Sequence, residues 1–154
     1  MTPKKLFSLF AFAEMVTWAL LLFGMFLRYV TQTTEMGVRI FGPIHGFVFL
    51  TYVAVTIAVA IDRRWPRGTA ILGVLAAVPP FLTVPFERYA LGRGLLEGGW
   101  QVHDGETPST GAERLLGWAV RNAVLAVGVA LVVVIAVFAL LLWLGQPPVP
   151  TPGG

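Results

Sequence analysis

The chain has 154 residues, of which 56% are hydrophobic and only 12% charged, about half the charged share of an ordinary soluble domain. With a mean hydropathy of +0.78 and uncharged runs long enough to cross hydrocarbon, this composition excludes a soluble globular domain, a disordered tail and a disulfide scaffold. A net charge of only +3, no cysteine and two histidines leave no basis for nucleic-acid binding, thiolate chemistry, an iron–sulfur cluster or a cysteine zinc site, and neither a metal nor a cofactor is expected.

The first predicted element runs from Leu6 to Leu27, apolar except for Glu14 and a few small polar residues. Its 22 residues reach about 33 Å as a helix, enough to span a bilayer. Lys4-Lys5 ahead of it and Ala11-Phe12-Ala13 within it imitate a secretory signal, but the apolar run continues past them, so the segment is expected to be retained. A second helix is predicted to start at Pro43, where a missing N–H costs nothing, and to run through Gly46–Ile61 to the stop Asp62-Arg63-Arg64-Trp65-Pro66-Arg67. The third covers Gly68–Phe86. Pro79, Pro80 and Pro85 should kink or partly unwind it, which lipid tolerates only where neighbouring groups satisfy the freed carbonyls.

Arg88–Leu116 reads as a solvated loop, in which His103-Asp104-Gly105-Glu106 is hydrophilic chain rather than a metal site. A fourth helix begins near Gly117 and is uncharged from Asn122 to Leu144, with Trp118 and Trp143 as interfacial anchors. The tail 146–154 holds too much proline to pack. The predicted fold is therefore all-α and polytopic, four transmembrane helices in an up-down bundle over residues 1–145, followed by a flexible proline-rich tail.

Counting basic residues does not orient this bundle: Lys4, Lys5, Arg63, Arg64 and Arg67 face one side, and Arg28, Arg39, Arg88, Arg93, Arg114 and Arg121 the other. The first five sit in short segments beside a single acid, whereas the six are diluted by acids, which favours a cytoplasmic N-terminus.

An ionisable group within the membrane costs about 2.5 to 3.5 kcal/mol on insertion scales, so each needs a partner or a role. Glu14 is the deepest, and it shares a helix face with Thr17, Trp18, Leu21, Met25 and Arg28. At its depth an antiparallel second helix is expected to present Tyr52, with Thr51 and Thr56 a turn away. The preferred reading of Glu14 is a neutral or hydrogen-bonded residue that fixes helix pairing. A proton carrier is the rival, weakened because no further acid or histidine follows along the helix.

In an up-down bundle the end of helix one, the start of helix two and the end of helix three meet at one rim. Arg28, Arg39, His45, Glu87 and Arg88 would then form a polar vestibule, with Tyr29 and Tyr89 beside them. His45 would lie in the first turn of its helix, where free N–H groups favour an anion. Such a cluster can rivet three helices together, or hold a phosphate, carboxylate, lipid or quinone headgroup.

The strings Glu14-Met15-Val16-Thr17-Trp18, Leu27-Arg28-Tyr29, Val38-Arg39, Gly42-Pro43-Ile44-His45-Gly46, Pro80-Phe81 and Phe86-Glu87-Arg88 resemble a domain-of-unknown-function family of small bacterial, mainly actinobacterial, integral membrane proteins. The resemblance covers roughly residues 5–95, with Gly-Pro-Ile-His-Gly as its most specific element. It implies a membrane fold in the bacterial cell membrane and no known reaction. Family members usually look like three-helix proteins, so the helix at 117–144 and the tail depart from the pattern.

No Ser-His-Asp order, paired catalytic carboxylates or His-Glu-x-x-His string occurs, and a non-enzymatic role is expected. The expectation is an accessory or interaction subunit of a larger membrane assembly, in contact with lipids and with protein partners or further copies of itself. The alternatives are a small oligomeric transporter or channel using Glu14, and a lipid or quinone headgroup-binding module.

Overall fold

The structure, a computed structural model, describes residues 2–101 and 111–144, and every regular element among them is helical. Helix α1 (Pro3–Met25) starts where the Thr2 side chain accepts the Lys5 N–H at 3.3 Å and Pro3 takes a position that needs no donor. It ends in a π-helical turn, Phe26–Val30, from which the Thr31 N–H reaches back to the Phe26 carbonyl. Helix α2 covers Met36–Asp62. Pro3–Val30 and Met36–Asp62 are both long and apolar enough to cross a membrane.

The two run antiparallel in constant register: Gly24 faces Gly37, Glu14 faces His45 and Phe7 faces Tyr52. Gly24 and Gly37 set the separation at one end, because a Cβ on Gly24 would lie 2.7 Å from the Gly37 carbonyl carbon. This contact also explains why α2 begins at Met36 rather than at the expected Pro43. Gly37 and the backbone of Val38 pack on Gly24 near the end of α1, so helix forms ahead of Pro43, which is accommodated inside it. His45 therefore lies well within α2, away from any free N-terminal amides, and Tyr52 is displaced from the depth of Glu14 to that of Phe7.

Where one kinked helix is expected over Gly68–Phe86, the structure has two short ones, α3 (Arg67–Leu75) and α4 (Thr83–Gly92). Pro79 and Pro80 cannot donate to a continuing helix, the bonds from Ala77 and Val78 tighten to carbonyls three residues back, and Phe81 adopts a φ of 67°. The chain then reverses. Thr83 meets Ala11, Phe86 meets Phe7 and Trp65, and the Trp65 indole N–H donates to the Leu95 carbonyl at 3.0 Å. Helix α4 thus returns to the end of the molecule from which α3 left. Pro85 falls in its first turn, where it does no damage.

Two side chains of the α1–α2 frame and one of the hairpin itself hold the two together. The Trp18 indole N–H donates to the Ala77 carbonyl at 3.1 Å, the Tyr52 hydroxyl to the Gly73 carbonyl at 3.0 Å, and the Thr83 hydroxyl to the Ala11 carbonyl at 3.0 Å. The first two satisfy backbone acceptors at and just before the turn, the condition under which irregular backbone persists in an apolar surround.

The core lies at the Pro3 end, where Phe7, Tyr52, Trp65 and Phe86 stack with ring centroids 5.6–6.1 Å apart. Buried Leu96 and a corner built on buried Asp62 close it from below. There Arg63 Nε stands 3.8 Å from Asp62 Oδ2. With its amide nitrogen turned onto the Asp62 carbonyl oxygen at 2.7 Å, Gln101 accepts from Arg63 Nη1 at 3.2 Å.

Helices α5 (Gly111–Arg121) and α6 (Ala123–Leu144) pack against α2 and each other. The residues 103–106 and the tail 146–154 lie outside the described residues. Over the whole, Glu14, Thr17, His45, Thr56, Asp62 and Thr83 are inside, while Phe12, Leu20, Phe23, Ile44, Ile57, Ile71 and Leu75 are exposed. A water-soluble fold distributes these classes the other way round.

Candidate functional site

Glu14 carries the densest chemistry in the interior. Its place in α1 turns it toward α2, leaves it 0% exposed, and gives neither carboxylate oxygen a hydrogen-bond partner. From α2, His45 brings Nδ1 to 3.7 Å from Glu14 Oε2 and to 3.1 Å from Thr17 Oγ1. The Thr17 hydroxyl already donates to the Glu14 carbonyl at 3.1 Å, so the Nδ1–Thr17 bond requires the proton on Nδ1. Trp18 covers one side of the imidazole with ring centroids 4.5 Å apart, and Phe49 approaches to 6.3 Å.

The electrostatics follow from the burial. An unpaired charge in such a place costs several kcal/mol, so the pair is stable only with zero net charge. One proton shared between carboxyl and imidazole meets that condition in either location. The arrangement can therefore pin two helices in register, and it can hold a proton in the middle of the frame. Among the described residues, no three of His, Cys, Asp and Glu gather as metal ligands.

The expected vestibule is divided by the fold. Arg28 lies at the far end of the frame, with Nη2 3.7 Å from Glu35 Oε1 and its guanidinium 5.2 Å from the Tyr29 ring centroid. Arg39 is exposed in the first turn of α2, near the same end. Glu87 and Arg88 follow Phe86, which packs on Phe7, and Phe7 is roughly 30 Å along α1 from Arg28. His45 sits between the two ends, with Glu14. The structure thus brings Arg28 and Arg39 to one end, Glu87 and Arg88 to the other, and pairs His45 with neither set, because the third helix turns back instead of crossing.

Thr17 and Trp18 were visible as neighbours of Glu14 at helical spacing, but their bonds to His45 and to the Ala77 carbonyl depend on the register of α2 and on the hairpin. Neither is encoded in the spacing along α1.

Comparison with known proteins places the chain among membrane sequences of undetermined role. Over 93 residues it is 50% identical to a Streptomyces coelicolor protein named as a membrane protein, a match covering 60% of this chain and 11% of that protein. Over 62 residues it is 34% identical to uncharacterized proteins of Mycobacterium bovis and Mycobacterium tuberculosis, covering 40% of this chain and 51% of theirs. The chain therefore spans about a tenth of the first of these relatives and about half of the others. No solved structure matches. A family model matches residues 4–91, which hold α1, α2, the hairpin and the Glu14–His45 pair, and the chain belongs to that family, the domain of unknown function DUF3817.

Proposed function

We propose that this protein is a non-enzymatic, multi-pass module of the bacterial cell membrane that acts as an accessory subunit, docking against other membrane-spanning chains. The carrying observation is the outer face of α1. Trp18 turns toward the hairpin, and Leu9, Phe12, Val16, Leu20 and Phe23, which helical spacing puts on the opposite side of α1, all stand exposed. A partner's helix fits such a face, since it would bury these side chains without displacing any polar group. The Streptomyces relative supports this reading: a stretch like this one occurs there within a far longer chain, as expected of a module that works attached to others.

The topology that goes with this reading revises the expected four crossings. Helices α1, α2 and the uncharged 22-residue α6 cross, while α3 and α4 enter and return. The revision also sharpens the orientation. With α4 at the Pro3 end, Lys4, Lys5, Arg63, Arg64, Arg67, Arg88 and Arg93 lie on one side, against Arg28 and Arg39 on the other. That asymmetry favours a cytoplasmic N-terminus more strongly than the even count obtained for an up-down bundle.

The test is photo-crosslinking from p-benzoylphenylalanine in place of Phe23, at native expression and with mild-detergent purification. A stoichiometric adduct with a second polypeptide is expected. Recovery of a monomer carrying lipid adducts alone overturns the proposal.

One observation favours a second reading, a small oligomeric transporter: the buried Glu14 carboxylate has no hydrogen-bond partner and an imidazole beside it. Proton flux into liposomes that is abolished by Glu14→Gln would support it; equal flux with and without the substitution removes it.

A further inference from the structure

The Pro3 end of the molecule carries a groove of about 620 Å³ between α2 and α3 that the Glu14 site does not use. Its walls are apolar: Ile57, Ala60 and Ile61 from α2, and Ala70, Ile71, Val74 and Leu75 from α3. Its mouth is cationic, because Arg64 and Arg67 line it where the chain turns from one helix to the other. Both arginines are exposed, and a Cβ on the adjacent Gly68 would meet nothing within 4 Å.

We propose that this groove binds one anionic phospholipid, with an acyl chain between α2 and α3 and its phosphate between Arg64 and Arg67. The volume lies within the range of small-molecule sites. The depth fits as well: the nine residues of α3 rise about 14 Å, close to half of a ~30 Å hydrocarbon core, so the groove accommodates a chain from one leaflet and no more. The charge fits a third way. Arginine forks suit phosphate oxygens, and the two cations at the mouth match an anionic headgroup. The site rests on the membrane placement of the fold and not on the accessory role.

Native mass spectrometry of the full-length protein, equilibrated in mixed micelles with phosphatidylglycerol or phosphatidylcholine of identical chains, tests it. One phosphatidylglycerol should be retained per chain, at least about tenfold more tightly than phosphatidylcholine. The double variant Arg64→Gln, Arg67→Gln should lose that preference. Ile71→Trp, which fills the groove from an exposed position and leaves the arginines in place, should lower retention by a similar factor, and free glycerol phosphate should not compete. Equal retention of the two lipids overturns the proposal, as does a loss in the arginine variant with Ile71→Trp unaffected, which would mark simple surface attraction.

Discussion

At the scale of single residues, the distance that matters most is the 3.7 Å between His45 Nδ1 and Glu14 Oε2. Removing one member of a buried pair strands the other, at about 3 kcal/mol or more, whereas replacing both with apolar groups of similar size costs much less. His45→Leu should therefore lower the thermal stability of the purified protein strongly, and adding Glu14→Leu should recover most of the loss. Additive losses in that double-mutant cycle would mean that the two side chains do not act as a pair. Glu14 was legible in the sequence because a carboxylate stands out in an apolar run. Its partner was not, since an extra turn and more of helix ahead of Pro43 shifted the facing residue from Tyr52 to His45.

Among the elements, the α1–α2 contact and the hairpin differ in how they bear a lost glycine. A Cβ at Gly24 meets Gly37 backbone at 2.7 Å, whereas one at Gly73 meets the Thr56 methyl at 2.9 Å and the Phe86 ring at 3.0 Å. Side chains can give way and packed backbone cannot, so Gly24→Ala should cost about 1–3 kcal/mol and Gly73→Ala less, measured as shifts in the unfolding midpoint in detergent. The reverse order would mean that the helix pair is looser than the hairpin. The prolines foretold the loss of helical order after Leu75, and also that neighbouring groups would be needed to satisfy the freed carbonyls. The reversal itself was hidden. A stretch that turns back has the same composition as one that crosses, and the difference lies in bonds from Trp18, Tyr52 and Thr83 to distant carbonyls.

For the molecule as a whole, the absence of native cysteine makes sidedness measurable with single introduced thiols. Lys4→Cys and Tyr89→Cys should react with a membrane-impermeant maleimide from the same side, and Thr33→Cys from the other. Joint labelling of Tyr89→Cys with Thr33→Cys would mean that the third segment crosses after all. The all-helical membrane class was legible from composition, because uncharged runs of spanning length have few other uses. That the stretch after Pro66 forms two short helices rather than one of spanning length was not, because it follows from where the chain turns. That turn carries a geometric consequence. Within residues 2–101, a section through the frame near Phe7 cuts four helices and a section near Gly24 cuts only two. This part of the body tapers like a wedge, and in the proposed membrane placement it would displace more material from one monolayer than from the other, an imbalance that a bilayer bulging toward the broad end would relieve.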